Sequence, residues 1–239
     1  MDTSSRIVPL RWTQEEIEAR KEFKCEQHSH NGINHPRCFN REMGIEERKG
    51  CIDIEAGALD ADFDIMLSWA LKTVGKDEVK FDHLNVSDFK KGEYDARLVA
   101  TCVKAMWGYD RLIGHYIGPN RFDIPFIRSR YLWLKSRGLY KGEPFPKHGE
   151  MWITDTYSMA KRLLKITSRR QDSVANTIQG KDIKTRIDKD YWMAIKYGNP
   201  QARKEAIEYI RDHNQRDVEQ LEQNYLTMLP YVKECQSSI

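Results

Sequence analysis

The chain lacks several features that would assign it to a protein class at once. No apolar run approaches the roughly 18 residues that a membrane-spanning helix requires. The opening residues, Met1–Arg6, lead into no hydrophobic signal core. There is no internal repeat and no low-complexity segment. We therefore expect an intracellular protein, cytoplasmic or nucleoid-associated, that does not act at a membrane.

Net charge and cysteine content are also low. The formal net charge of the 239 residues is only +3, so any binding of nucleic acid must come from local patches. Five cysteines in a reducing compartment argue against a disulfide framework. Cys51 and Cys102 lie in apolar segments and are expected in the core, whereas Cys235 lies in a tail.

The sequence pattern divides the chain into an N-terminal appendage, residues 1–49, and a larger domain, residues 50–239. Thr13-Gln14-Glu15-Glu16 is a capping box that opens a helix toward Lys24. The larger domain is predicted to be α/β, with an antiparallel meander followed by β-α-β units in a mixed five-stranded sheet flanked by helices. The predicted strands are 50–59, 62–72, 79–84, 111–116 and 151–155, and the main predicted helices are 94–107, 123–135 and 201–229.

The strongest chemical signal is a pair of acids in Gly50-Cys51-Ile52-Asp53-Ile54-Glu55-Ala56. On a strand, Asp53 and Glu55 project to the same face. Two buried carboxylates repel each other when both are ionised, and a bound cation such as Mg²⁺, which prefers oxygen ligands, removes the conflict. The pattern alone is explained equally well by acids at a wet strand end that pair with Lys or Arg.

Two later segments carry further acids. In the segment from Ile113 to Phe126, Asp123 lies where a helix begins, which is also a favourable position for an N-cap. His213 and Asp217 are four residues apart and therefore share one face of the last helix. A solvated charged face would explain this second pair in isolation.

Together, and in this order, these segments resemble the DEDD exonucleases of the ribonuclease H-like fold. The signatures are Asp53-Ile54-Glu55, then Gly114-His115 followed by Phe122-Asp123-Ile124-Pro125-Phe126, and then the helix from His213 to Asp217. The resemblance implies a 3′-to-5′ exonuclease that releases nucleoside monophosphates from single-stranded or frayed DNA or RNA. It also implies that Asp53, Glu55, Asp123 and Asp217 hold two Mg²⁺ or Mn²⁺ ions, with His213 orienting or deprotonating the attacking water.

The chain departs from the family pattern at two positions. One branch of the family has a Tyr four residues before the last Asp and another has a His five residues before it, whereas here His213 has the Tyr spacing and Asp212 the His spacing. Tyr116 replaces the Asn that commonly follows Gly-His, which is expected to alter contacts with the terminal nucleotide. Asp155, in an Asp-Thr pair that the family often has, is expected to be structural, as is His115.

Two rival functions use the same scaffold. One is a catalytically degenerate module that binds nucleic acid, and the other is an endonuclease. The sequence leaves open the choice between DNA and RNA, a replication or repair partner, and the oligomeric state.

The appendage contains a second candidate metal site. Cys25-x-x-His28 and His35-x-x-Cys38 present four ligands from two short turns, which suits one tetrahedral structural Zn²⁺. His30 could replace His28 as a ligand. The alternative is a His-rich loop with two thiols that bind no metal. No open coordination position is implied, so no catalysis is expected there.

The sequence identifies substrate-contacting residues less specifically than it identifies metal ligands. Basic side chains can hold phosphates and aromatic rings can stack on bases, although most such residues in any protein are solvated or in the core. Tyr116, Phe122 and Arg128 are the foremost candidates. The wider set comprises Arg130, Lys165, Arg169, Arg170, Lys181, Lys184 and Arg186, together with the aromatic residues Phe126 and Trp192.

Overall fold

The protein has an α/β fold in which helices flank a mixed sheet. The computed structural model describes residues 12–26, 29–34, 36–90, 92–118, 121–180, 188–234 and 237–239. The strands are β1 Lys49–Ala56, β2 Met66–Thr73, β3 Val79–His83, β4 Arg111–Gly114, β5 Trp152–Asp155 and β6 Ser237–Ser238. The helices are α1 Gln14–Glu22, α2 Pro36–Glu42, α3 Val86–Lys90, α4 Ala96–Met106, α5 Asp123–Ser136, α6 Thr156–Leu163, α7 Gln171–Gln179, α8 Lys189–Tyr197 and α9 Pro200–Met228. None of these helices has the length and apolar character that a membrane span requires.

The sheet has the strand order β3-β2-β1-β4-β5-β6. β1 pairs antiparallel with β2, and β2 with β3, which confirms the predicted meander. β1, β4 and β5 are parallel, as expected for strands joined by helical crossovers. The sixth strand, β6, pairs antiparallel with β5 and contradicts the prediction of five strands. A strand of two residues has no hydrophobic periodicity by which it could be recognised.

The three main predicted helices are confirmed to within two residues at each end, as α4, α5 and α9. α9 is 29 residues long, and its start is set by Asn199, whose side chain accepts a hydrogen bond from the N–H of Ala202. The last turn continues into a 3₁₀ turn, Leu229–Tyr231, that contains Pro230. Helix α9 is therefore long enough to cross the sheet and reach β1, β2, β3 and β4.

Residues 57–65 form a loop, although the sequence pattern extends the strands on both sides into this segment. Leu59 and Phe63 supply the apolar alternation that suggested strand, yet they are 80% and 81% exposed. Asp64 forms an ion pair with Lys196 of α8, which fastens the loop to a distant helix. The local sequence pattern carries no signal for this tertiary contact.

Two apolar clusters lie on opposite faces of the sheet. Ile52 and Ile54 pack with residues of α4 and α5, whereas Cys51 packs with residues of α9. Because strand side chains alternate between faces, Asp53 and Glu55 share the face of Cys51. The two acids of β1 therefore point toward α9.

The N-terminal region is organised around Arg20 of α1, which is only 1% exposed. One half of the predicted capping box is confirmed at the N-cap of α1, since Thr13 Oγ1 accepts a hydrogen bond from the N–H of Glu16, whereas the Glu16 carboxylate accepts from Arg20. Arg20 Nη2 donates to Glu16 Oε1 and to Asn40 Oδ1 of α2, both at 2.6 Å. The guanidinium also stacks over the rings of Trp12 and Phe39. A paired and stacked arginine thus joins α1 to α2 where apolar residues are few.

Candidate metal centre

Four carboxylates from three parts of the chain lie near one another at the C-terminal half of β1, a central strand of the sheet. Asp53 and Glu55 lie on β1, Asp123 is the first residue of α5, and Asp217 lies on α9. We call these four residues the four-acid cluster. The charges of Asp217, Glu55 and Asp123 all act on Asp53. Such mutual effects require the four groups to lie close together.

Asp123 is held against β1 by hydrogen bonds to the backbone. Its carboxylate accepts a bond from its own N–H and another from the N–H of Ile54, which lies between Asp53 and Glu55. Asp123 is buried, and the N-cap of α5 is Phe122 rather than Asp123. The N-cap interpretation of Asp123 is therefore wrong, because its carboxylate is engaged by the strand.

One face of α9 presents His213, Asn214 and Asp217 to the acids of β1. Nε2 of His213 lies 3.3 Å from Asp217 Oδ2 and 3.5 Å from Glu55 Oε1. Nδ2 of Asn214 donates to Asp53 Oδ2 at 2.8 Å. The helix thus contacts both acids of β1 through two adjacent residues.

The imidazole of His213 is buried among aromatic rings. The Tyr209 ring lies parallel to it at 6.3 Å, and the Trp192 ring lies edge-on at 5.8 Å. Nδ1 of His213 is buried and has no hydrogen-bond partner within the described ranges. Nε2 is therefore the ring nitrogen that faces the carboxylates and any group bound between them. Trp192 also hydrogen-bonds to Glu55.

The positive charge around the four-acid cluster does not balance four ionised carboxylates. Burial, followed by repulsion from Asp217, raises the pKa of Glu55 to about 8. Burial raises the pKa of Asp123 to about 7. Burial and the three other acids raise the pKa of Asp53, and burial raises that of Asp217 despite an opposing effect of His213. Near neutral pH the cluster consequently retains protons that exposed carboxylates would have lost.

Three residues at this site, two of the four acids and His213, fit a divalent cation. Glu55, His213 and Asp217 each offer one ligand atom, and these atoms lie within 4.8 Å of one another. Carboxylate oxygens with one imidazole suit Mg²⁺ or Mn²⁺, and the imidazole favours Mn²⁺ of the two. A cation would supply the positive charge that the buried acids lack.

Asp155 has structural contacts that account for it without a metal. Its Oδ1 accepts hydrogen bonds from the backbone N–H groups of Tyr116 and Tyr157 at 2.9 and 3.0 Å. Its Oδ2 accepts a bond from the hydroxyl of Ser158 at 2.9 Å. Asp155 therefore caps α6 and ties the loop after β4 to it.

His115 is also engaged by the fold. Its Nδ1 lies 3.0 Å from Thr156 Oγ1, and its Nε2 lies 2.8 Å from the carbonyl oxygen of Arg169. Burial lowers the pKa of His115, so the neutral ring is favoured. Both ring nitrogens are thus used in joining β4 to the segments around α6 and α7.

The predicted substrate residues have different environments. Tyr116 is 41% exposed and has a positive φ of 69°. Phe122 is half-buried at the N-cap of α5, and the guanidinium of Arg128 lies over the ring of Phe145. Of these three, Tyr116 offers the most exposed aromatic surface.

Three other candidates for substrate contact are wrong because they are buried. Arg130 forms an ion pair with Asp95 at 2.7 Å. Phe126 belongs to the main apolar cluster, and Trp192 packs against His213. Lys181, Lys184 and Arg186 lie outside the described residues.

The predicted zinc site is only partly described, since His28 and His35 lie outside the described residues. Cys25 and Cys38 form no disulfide, and their side chains hydrogen-bond to each other. Desolvation and the contact with Cys25 raise the pKa of the Cys38 thiol. Two of the proposed ligands therefore lie together, and bound zinc stays a prediction.

Sequence reasoning missed two residues that contact the four-acid cluster. Asn214 lies three residues before Asp217, so its position on the same helical face was a readable signal. Trp192 was considered only as a base-stacking residue. Its contact with Glu55 and His213 depends on how α8 packs against α9, for which the local sequence carries no signal.

Comparison with known proteins gives the chain no family. It matches no family model, and it matches no curated protein. The arrangement of the four-acid cluster with His213 and Asn214 is therefore the basis on which a function can be assigned.

Proposed function

We propose that the protein is a metal-dependent 3′-to-5′ exonuclease with a ribonuclease H-like fold. One observation carries the proposal: Asp53, Glu55, Asp123 and Asp217 converge from β1, α5 and α9. The arrangement of β1 to β5, a meander followed by parallel crossovers as the sequence pattern predicted, supports this fold. β6 is then an addition at the edge of the sheet.

The residues of the chain have distinct roles in this proposal. Divalent cations held by the four acids would activate a water and stabilise negative charge on the leaving 3′ oxygen of a phosphodiester. His213, between Glu55 and Asp217, orients the attacking water or accepts its proton. Asn214 holds the carboxylate of Asp53, and Trp192 restricts the ring of His213.

The test is a time course in Mn²⁺ on single-stranded DNA and RNA labelled at the 5′ end. We expect the wild type to give a ladder that shortens from the 3′ end. Asp53→Asn and Asp217→Asn should lose turnover while they keep the fold. Asp212→Asn is the matched control, because Asp212 is an exposed acid on the same helix. Full activity of Asp53→Ala would contradict the proposal.

Two further measurements separate the rival functions. An exonuclease cannot start on a circular single strand, so cleavage of a circle would identify an endonuclease. Calorimetric titration with Mn²⁺ tests whether the protein is a catalytically degenerate module. Such a module would bind the strand but would show no divalent-cation binding that depends on Asp53 and Asp217.

A further inference from the structure

Arg121 lies two residues before Asp123 of the four-acid cluster, in the loop that leads into α5. Its guanidinium carbon lies 4.4 Å from the centre of the Tyr116 ring and 5.1 Å from that of the Tyr157 ring. The two rings meet edge to face, with their centres 5.2 Å apart. A guanidinium held against two rings has few orientations left, so little entropy is lost when it binds a ligand.

Arg121 forms no ion pair with any residue that the structure describes. Asp155 acts on it electrostatically. The oxygens of Asp155, however, accept hydrogen bonds from Tyr116, Tyr157 and Ser158. Most other arginines near the sheet are used internally, as Arg130 is by Asp95. Arg121 also hydrogen-bonds to the side chain of Tyr116. A guanidinium has five N–H donors, so others remain for another acceptor.

The backbone keeps this group next to the cluster. The N–H of Phe122, the residue before Asp123, donates to the carbonyl oxygen of Tyr116 at 3.0 Å. Tyr116 has a φ of 69°, which is uncommon for an aromatic residue and is maintained here by its hydrogen bonds. Burial is the main cause of the raised pKa of Asp123, and the charge of Asp155, to which the N–H of Tyr116 is bound, adds to it. The loop that carries the stacked arginine is thus fixed at the start of α5, where Asp123 lies.

We propose that Arg121, held on Tyr116 and Tyr157, binds a phosphate of the strand whose 3′ end occupies the four-acid cluster, with Tyr116 against an unpaired base. This inference rests on the proposed function. A guanidinium binds phosphate oxygens through two parallel N–H groups. Aromatic rings stack on bases of any sequence in single strands. The preferred substrate is then a single-stranded end that carries more than one phosphate.

The experiment compares Arg121→Gln with Arg137→Gln. Arg137 is a matched control, since its guanidinium stacks on Trp133 at 3.9 Å just beyond the other end of α5. Both variants are assayed in Mn²⁺ on a short single-stranded oligonucleotide and on the p-nitrophenyl ester of thymidine 5′-monophosphate, which has one phosphodiester. Binding of the labelled oligonucleotide is also followed by fluorescence anisotropy in Ca²⁺, and Mn²⁺ binding by calorimetry.

We expect Arg121→Gln to raise KM for the oligonucleotide about tenfold and to reduce the salt dependence of binding by about one unit of slope. The loss on the ester should be several-fold smaller, and Arg137→Gln should behave as wild type. Arg121→Lys should restore the salt slope without restoring the full affinity, because lysine keeps the charge and lacks the planar fork.

Two results would contradict the role proposed for Arg121, and a third would contradict the proposed function instead. An unchanged KM and salt slope in Arg121→Gln would show that the arginine holds no phosphate. An equal loss on both substrates, together with weaker Mn²⁺ binding, would show that it acts through the acids instead. A wild type that binds the strand but cuts neither substrate would contradict the proposed function, and the anisotropy comparison would still test Arg121.

Discussion

The side-chain amide of Asn214 sets the orientation of Asp53. Its Nδ2 donates to Asp53 Oδ2 at 2.8 Å, while its Oδ1 accepts a hydrogen bond from Ser68 Oγ at 2.6 Å. Asn214 is fully buried, so both bonds are shielded from water. A neutral residue that binds no cation thus determines which oxygen of Asp53 can face one.

Replacing Asn214 by Ala should weaken cation binding and also destabilise the fold. Loss of the donor lets the Asp53 carboxylate rotate, and a supporting residue of this kind typically contributes about 10- to 100-fold in metal affinity. The hydroxyl of Ser68 also loses its acceptor, for a cost of about 1–3 kcal/mol. Calorimetry with Mn²⁺ and chemical denaturation measure the two effects.

Asn224→Ala is the control for this variant. Asn224 is equally buried on α9 and hydrogen-bonds to Gln179 and to the carbonyl oxygen of Gln171, away from the acids. Its replacement should cost similar stability and leave Mn²⁺ affinity unchanged. Equal loss of affinity in both variants would mean that general loosening of α9, rather than the bond to Asp53, is responsible.

Neutralising an acid of the cluster should stabilise the cation-free protein. Asp53→Asn removes a carboxylate whose ionisation is opposed by burial and by three other acids, so Tm in a chelator at pH 8 or above should rise. Asp95→Asn should do the opposite, because it leaves the buried charge of Arg130 unpaired, at a cost of about 3–5 kcal/mol. A fall in Tm for Asp53→Asn would show that the surrounding residues already stabilise the carboxylate of Asp53 in the cation-free protein.

The stability of the cation-free protein should fall as pH rises. Glu55 and Asp123 have folded-state pKa values of about 8 and about 7, above the ordinary values of 4.5 and 3.8. Their protons therefore stabilise the folded state fully at acidic pH, and this contribution is lost as pH rises toward 8. Between pH 5 and 8, Tm in a chelator should drop by about 5 °C or more.

Two comparisons test the cause of this drop. The double variant Glu55→Gln, Asp123→Asn should show a smaller decrease over the same range, and saturating Mn²⁺ should offset the decrease in the wild type. A decrease of the same size in the double variant would assign the effect to other titrating groups.

The N-terminal region should contain one zinc ion per chain. Elemental analysis of the purified protein should find it in the wild type and in Cys102→Ala, whose thiol is in the core. The double variant Cys25→Ser, Cys38→Ser should contain none, since zinc would be the partner that both thiols share. A zinc-free wild type in which both thiols react readily with a thiol reagent would favour the metal-free His-rich loop.

The sequence alone predicted the features that follow from strand and helix periodicity. Asp53 and Glu55 share a face because strand side chains alternate, and His213 and Asp217 share a face because they are four apart on a helix. The meander and the three main helices followed from the same kind of pattern. These features are local, and so a single sequence contains them.

Other features depend on contacts that no local pattern encodes. The alternation of Leu59 and Phe63 suggested strand, whereas the ion pair between Asp64 and Lys196 joins a loop to α8. Arg130 and Arg121 look alike in sequence, yet the first is buried against Asp95 and the second stays at the surface over two tyrosine rings. Burial of individual arginines is decided by tertiary packing, which the one-dimensional pattern does not specify.

The origin of the four acids in β1, α5 and α9 has a consequence for biosynthesis. A nascent chain that has emerged only as far as α5 contains Asp53, Glu55 and Asp123 but has neither His213 nor Asp217. Contacts between segments so far apart along the chain form late in folding. Until α9 has emerged and docked, the nascent chain therefore has no complete ion pocket, and under the proposed function it cannot hydrolyse the nucleic acid around it.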